Sequence, residues 1–501
     1  MKCPACGCEN AQGTKVCQGC RLILIPENAP AIVLAPKKQK RNTRKVVIGS
    51  ICSLALLFLA VVSANVFTAY SNNGSYIYAK NSILSYYLYD DDQTIVVQNG
   101  VIHPTRMNGD EDVDYVKVNM DGMRGVHKVN GTLYAIANES LFKITDDAIE
   151  YGISADGAKI WYIDDNMALY SVEIESKKVI HISDDLDSFN VCLSPDGNIV
   201  LYTACGELNA CCDGIYWKLG KDMQPLCASN NGKTIYAMST ANGALYATDL
   251  KGSKREKIVA QVDQCIFNAK GTECLFSSDG KTYISINGGE KNKIYNEELI
   301  LLLPDKCESY AYSRCSDYTQ VKTFKNAVFM IGSGESSAEI GFLNKKYEYI
   351  RLEKNANKII LSHRGNNVFF VKSNILYCRK IQEESTNIKL GEDIKDYAVS
   401  ENGKKAFIIT YTNDFSQVKV KEAATPKKLA EDMVSVESFK NKAFVLSDDD
   451  TLYRMDGNKK VKIGDDVYFE YGALVNTFIF SEQDVLFVSS DGTEFSSIAV
   501  D

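Results

Sequence analysis

From about residue 75 onward, polar turn segments alternate with short apolar runs, and the alternation keeps a beat. Ser154-Ala155-Asp156-Gly157 precedes Lys159-Ile160-Trp161-Tyr162, and Ser194-Pro195-Asp196-Gly197 precedes Ile199-Val200-Leu201-Tyr202. Ser229-Asn230-Asn231-Gly232, Asn268-Ala269-Lys270-Gly271, Ser362-His363-Arg364-Gly365 and Ser400-Glu401-Asn402-Gly403 stand before similar runs. Their glycines are separated by 40, 35, 39, 94 and 38 residues. Degenerate turns at Lys325-Asn326 and Lys440-Asn441 divide the long interval and extend the series. Leu169-Tyr170, Leu245-Tyr246, Leu376-Tyr377 and Leu452-Tyr453 each follow a turn by about a dozen residues and start a further strand. Two strands around a turn, a third beginning Leu-Tyr and a fourth in the following stretch make about four strands per 40 residues, the period of a β-propeller blade.

The Ser-Pro-Asp-Gly tetrad at Ser194 to Gly197, leading into an apolar strand, resembles TolB-like and WD-type propellers. The resemblance covers roughly residues 75–501 and implies a mainly β fold of seven or eight blades, with an irregular insertion between Gly271 and Asn326. It transfers no binding residues. An array of β-sandwiches shares the same turn spacing.

A different pattern occupies the N-terminal part. Val46 to Val66 contains no charged residue. At about 1.5 Å per helical residue it covers a hydrocarbon core of roughly 30 Å. Lys37, Lys38, Lys40, Arg41, Arg44 and Lys45 crowd its N-terminal flank, whereas Tyr70 to Asp92 offers only Lys80 against Asp90, Asp91 and Asp92. The positive-inside rule places residues 1–45 in the cytoplasm and the chain beyond about residue 70 outside. The basic flank is placed to meet anionic lipid.

Ahead of that run, Cys3-Pro4-Ala5-Cys6 and Cys17-Gln18-Gly19-Cys20 form two C-x-x-C pairs with structural-zinc spacing. Cys3, Cys6, Cys17 and Cys20 can surround one tetrahedral Zn²⁺ and leave no open position for water, so the metal is structural. A segment this short folds on its metal. The order resembles the short zinc ribbon at the N-terminus of many bacterial proteins, with Arg21 in place of the usual glycine and Cys8 as a fifth thiol. The expected organisation is a zinc ribbon over 1–24, a basic cytoplasmic linker over 25–45, one transmembrane helix over 46–69 and a propeller-like extracytoplasmic domain over 75–501.

Composition narrows the function. With 56 Lys plus Arg against 64 Asp plus Glu the net charge is -8, which argues against a nucleic-acid partner. His103, His127, His181 and His363 form no metal-binding pair, and no nucleophile elbow, phosphate loop or kinase signature occurs. Gly332-Ser333-Gly334 reads as a loop. Asp110-Glu111-Asp112-Val113-Asp114 opens like a calcium loop, but Tyr115 replaces the needed glycine, so a solvated acidic loop is expected there and turns at Asp448 to Asp450. Ten cysteines run from Cys192 to Cys378. If Asn268 to Gly271 is a four-residue hairpin loop, Cys265 faces Cys274 within reach of a disulfide.

The leading expectation is a membrane-anchored cell-envelope binding or scaffold protein whose propeller recognises a protein, peptide or glycan, with a cytoplasmic protein partner left open. The alternative is an extracellular hydrolase or lyase whose catalytic groups converge from separate blades.

Overall fold

The computed structural model describes residues 83–88, 93–99, 101–108, 116–119, 122–129, 131–137, 140–304, 321–332, 337–474, 476–482 and 485–499. They belong to one compact unit, Ser75–Asp501. The expected zinc ribbon and membrane span lie outside the described residues. Within those residues no helix is long and apolar enough to cross a membrane.

The described elements are all strands, paired antiparallel with their sequence neighbours. One sheet has three strands, eight have four, and a seven-stranded sheet divides into two four-stranded halves that share Tyr349–Leu361. In chain order the sheets are numbered 1 (83–108), 2 (117–145), 3 (148–183), 4 (192–221), 5 (223–259), 6 (264–295), 7 (300–361), 8 (349–391), 9 (394–430), 10 (433–464) and 11 (467–499). Eleven sheets among the described residues are more than the seven or eight blades expected. The repeat is tighter than a long-bladed reading assumes: Ile394, Met433 and Val467 begin successive sheets at intervals of 39 and 34 residues. Of the stretch expected to be an irregular insertion, residues 273–301 complete sheet 6 with Glu273–Ser278, Lys281–Ile286 and Asn292–Tyr295 and begin sheet 7 with Ile300–Leu301, while 305–320 lie outside the described residues.

Burial changes across each sheet in a fixed order. Second strands are covered on both faces: in Ile199–Ala204 only Ala204 is not fully buried, and Glu273–Ser278 is buried throughout. Fourth strands are open, as in Ser140–Thr145 and Lys427–Ala430. First strands of neighbouring sheets converge, for example Ile394–Val399 with Met433–Phe439 and Lys117–Val118 with Ala148–Ile153. Val101–Asn108 of sheet 1 lies beside Val485–Ser489 of sheet 11, so the first and last sheets meet. The apolar clusters sit between sheets; one joins Phe407, Ile409 and Phe415 of sheet 9 to Met433, Ala443 and Val445 of sheet 10. This is a mainly β, propeller-like assembly in which each four-stranded sheet buries its faces against its neighbours.

Both repeated sequence signals have a structural cause. In the tetrads, the first residue pairs with the residue five positions later. The Ser194 amide donates to the Ile199 carbonyl at 2.8 Å, while the Ile199 amide donates to Ser194 Oγ at 2.9 Å. Ser194 Oγ–H donates in turn to Asp196 Oδ1 at 2.6 Å. The loops also tie sheets together, since the Asp156 amide donates to the Pro195 carbonyl at 3.0 Å and the Asp196 amide to Asn230 Oδ1 at 3.1 Å. The Leu-Tyr pairs mark a bulge: pairing with the fourth strand shifts register between Leu169 and Tyr170, Leu245 and Tyr246, Leu376 and Tyr377, and Leu452 and Tyr453. A bulge lets the leucine stay fully buried while the strand twists.

Candidate functional site

The first strand of each sheet has one edge without a partner in its own sheet, and buried peptide groups on such an edge need hydrogen bonds from elsewhere. Side chains of the adjoining sheet supply them. Lys117 Nζ donates to the Tyr151 carbonyl and to Glu150 Oε1, each at 2.9 Å, and lies 4.3 Å from the Tyr151 ring centre. Cys192 Sγ–H donates to the Leu226 carbonyl at 3.4 Å. Tyr397 donates its hydroxyl to the Lys358 carbonyl, and Lys358 Nζ donates to the Lys395 carbonyl. Asp396 Oδ2 accepts the Val436 amide at 3.1 Å, and Ser438 Oγ–H donates to the Val399 carbonyl at 2.5 Å. Burial pushes the Asp396 carboxyl above the usual carboxylate range, although the amides of Val436 and Tyr397 partly counter it. Polar groups along the inner strands therefore act as straps between sheets.

The thiols are arranged for packing. Eight cysteines among the described residues are free, and Cys192, Cys211, Cys227, Cys274 and Cys378 are buried. Burial pushes the Cys378 thiol up to about 12 and raises those of Cys211, Cys212 and Cys274, so these sulfurs stay protonated and poorly nucleophilic. The expected register of the Cys265 hairpin is corrected: Phe267 pairs with Cys274, and Cys265 pairs with Phe276. Asn268 belongs to the closing pair, with its amide donating to the Glu273 carbonyl at 3.1 Å and its Oδ1 accepting the Glu273 amide at 3.0 Å. The loop is therefore Ala269 to Thr272, one residue further along than expected. Cys265 and Cys274 remain diagonal neighbours, and burial first, then the nearby Cys265, pushes the Cys274 thiol up.

The other singled-out residues are dispersed. His127 is buried in Arg124–Val129, His181 Nε2 lies 2.9 Å from Asp184 Oδ1 on the surface, His363 sits in the turn after Tyr349–Leu361, and His103 falls in Val101–Asn108. Asp448 to Asp450 form the expected turn, in which Ser447 donates to Asp449 and holds its carboxyl below the usual range. Gly332 follows Val328–Ile331. Cys3, Cys6, Cys17, Cys20 and the acidic run Asp110 to Asp114 lie outside the described residues. Among the described residues no group of three or more His, Cys, Asp or Glu side chains is arranged to hold a metal.

A surface groove adds a feature that no sequence motif marks. A groove of about 570 Å³ runs between Asn387 to Glu392 and Glu422 to Pro426. One wall is the outer strand of sheet 8, Ile388–Gly391; the other is the loop joining the last two strands of sheet 9, Phe415–Lys419 and Lys427–Ala430. Its polar groups are already anchored at one end. Lys389 pairs with Glu392, and Asn387 Nδ2 donates to Glu353 Oε2 at 2.5 Å. Burial raises the Glu353 carboxyl, but hydrogen bonds from Lys372 and Asn387 outweigh it and leave the group below its ordinary value. The sequence cue for this wall was Glu422-Ala423-Ala424-Thr425-Pro426, a small-residue loop closed by proline. A smaller cavity of about 40 Å³ adjoins Cys265, Phe276 and Glu298.

No family model matches the chain, and no curated protein sequence matches it. Solved structures do resemble it. The crystal structure of a eukaryotic initiation factor is similar over 70% of this chain and 97% of its own, at 11% identity and TM-score 0.41. PorZ, a surface component of the type-IX secretion system of Porphyromonas gingivalis, is similar over 76% of this chain and 58% of its own, at 12% identity and TM-score 0.30. A putative TolB from Agrobacterium tumefaciens is similar over 43% of this chain and 90% of its own, at 18% identity and TM-score 0.28. These likenesses concern the fold.

Proposed function

We propose that this chain is a single-pass, membrane-anchored binding or scaffold protein of the cell envelope, with its eleven sheets serving as blades of one extracytoplasmic recognition domain. The observation that carries the reading is the groove between Asn387 to Glu392 and Glu422 to Pro426, which offers a strand edge, small side chains and a single ion pair. Such a lining suits recognition of a protein, peptide or glycan segment. The polar groups of the inner strands, committed to strapping sheets together, favour binding over a hydrolase or lyase centre. An array of peptides and glycans probed with the full chain and with Ala424→Trp tests it. The indole is expected to fill the groove and to abolish binding of the ligands that occupy it; an array on which both proteins bind nothing, or bind alike, overturns the groove as the site.

In the same reading Cys3, Cys6, Cys17 and Cys20 hold one structural Zn²⁺ on the cytoplasmic side, and Val46 to Val66 carries the chain across the membrane beside its basic flank. Elemental analysis of purified protein is expected to give one zinc per chain, lost when Cys17 and Cys20 are both replaced by serine. Retention of full zinc in that variant excludes the ligand set.

A further inference from the structure

The net charge of -8 averages over a surface that is not uniform. At one end of sheet 9, Lys404 and Lys405 open the strand Lys405–Thr410, Lys419 and Lys421 close Phe415–Lys419, and Lys427 opens Lys427–Ala430. The register sets Lys405 directly opposite Lys419 and sets Lys427 opposite Gln417. Lys405, Lys419 and Lys427 therefore share one face, with Lys419 and Lys427 as diagonal neighbours. Among the described residues, no carboxylate forms an ion pair with Lys404, Lys405, Lys419 or Lys421. Glu401, in the turn before Lys404, and Glu422 are the carboxylates at this end, outnumbered by its lysines, while Asp414 and Glu431 toward the other end meet Lys428 at 2.8 Å and 2.7 Å. Like charges directly opposed across a sheet are destabilising, and a bound anion relieves that cost.

This basic end adjoins the groove, whose own lining carries Glu422 and Lys389 paired with Glu392, so the positive charge is supplied by the flanking lysines. Lys421 and Lys427 bracket Glu422 to Pro426, the loop that forms one groove wall, with Glu422 as its single carboxylate. The opposite wall, Ile388–Gly391, is the last strand of its sheet, so one edge of its backbone has no partner strand.

We propose that this end of sheet 9 and the adjoining groove dock an extended acidic peptide of a protein partner. The peptide backbone lies along the edge of Ile388–Gly391 as an added strand, and its carboxylates meet the lysines. The inference rests on the binding reading above and narrows its ligand. A strand edge matches a peptide better than a sugar polymer, the groove lining has no aromatic ring on which nucleic-acid bases could stack, and a trough fits a chain better than a bilayer.

The test is fluorescence anisotropy with the full chain in detergent and a dye-labelled peptide of alternating Glu and Ser. Binding is expected to weaken with added salt and to fall about tenfold in the combined variant Lys405→Gln, Lys419→Gln and Lys427→Gln. Changing the same three lysines to glutamate is expected to transfer preference to a peptide of alternating Lys and Ser. Equal binding of a neutral Gln and Ser peptide, or an unchanged affinity in the Gln variant, overturns the proposal. So does tighter binding of polygalacturonate, single-stranded DNA or phosphatidylglycerol vesicles. If a neutral peptide binds and Ala424→Trp blocks it, the acidic ligand is wrong while the groove stands; if Ala424→Trp blocks nothing, the groove itself is wrong.

Discussion

Gly271→Ala is expected to destabilise the β domain by about 2–5 kcal/mol, while Gly206→Ala costs about 1–2 kcal/mol. Both glycines adopt left-handed backbone, with φ of +65° and +72°. Any L-residue therefore meets the same conformational cost of about 1–2 kcal/mol at either site. They differ in what surrounds them. A Cβ on Gly271 would stand 2.6 Å from the Ala228 carbonyl oxygen and 3.0 Å from Cys227 Sγ of the preceding sheet, whereas one on Gly206 meets nothing within 4 Å. Since the oxygen belongs to backbone, it cannot swing away, and overpacking adds about 1–3 kcal/mol. Urea unfolding followed by near-ultraviolet circular dichroism measures the difference. Equal losses at the two sites would show that contact with the preceding sheet does not constrain Gly271.

The second large effect is expected from Phe444→Ala, at about 3–5 kcal/mol. Phe444 is fully buried, and its ring stacks on Phe478 with centroids 3.9 Å apart, joining sheet 10 to sheet 11. The same cluster holds Phe439, Leu446, Leu452, Val467 and Phe480. Removing the ring leaves a cavity among residues contributed by two sheets, so their rigid backbones can collapse around it only partly. Tyr411→Ala is the comparison, because Tyr411 is 62% exposed and its loss is expected to change stability by no more than about 0.5 kcal/mol. Thermal unfolding of the two variants beside the parent decides. A Phe444→Ala protein as stable as Tyr411→Ala would mean that the junction between sheets 10 and 11 carries little of the stability.

The repeat was legible because a local rule forces it. A serine or asparagine that closes its own turn, followed by a strand covered on both faces, leaves the same residue types at each recurrence. Leu133-Tyr134 escaped notice although it bulges like the other Leu-Tyr pairs, with the shift between those two residues. Its tetrad, Asn119-Met120-Asp121-Gly122, lacks the serine of most of the others, yet it closes in the same way, with the Asn119 amide donating to the Arg124 carbonyl and Asn119 Oδ1 accepting the Arg124 amide, each at 3.0 Å. Cys265 pairs two residues beyond the expected partner because Asn268, read as a loop residue, instead closes the loop against Glu273 through its side chain, leaving Ala269 to Thr272 as the four loop residues. The groove was invisible for another reason. Its two walls come from different sheets, and nothing in a local pattern states how far apart Gly391 and Thr425 will stand.

The strand Tyr349–Leu361 has a mechanical consequence. Its early part pairs with Ala338–Leu343, as in Tyr349 with Leu343, and its late part pairs with Asn367–Lys372, as in Leu361 with Val368. Positive φ at Asn355 and Lys358, 57° and 46°, turns the backbone between the two. Other successive sheets have at least one residue outside the strands between them, as Asp222 between sheets 4 and 5, but here one unbroken strand belongs to both, so tension applied to sheet 7 passes directly into sheet 8. The two should peel or hold as one unit, giving the ring one double-length link among shorter ones, so a pull on the chain would register that pair as a single, larger rupture.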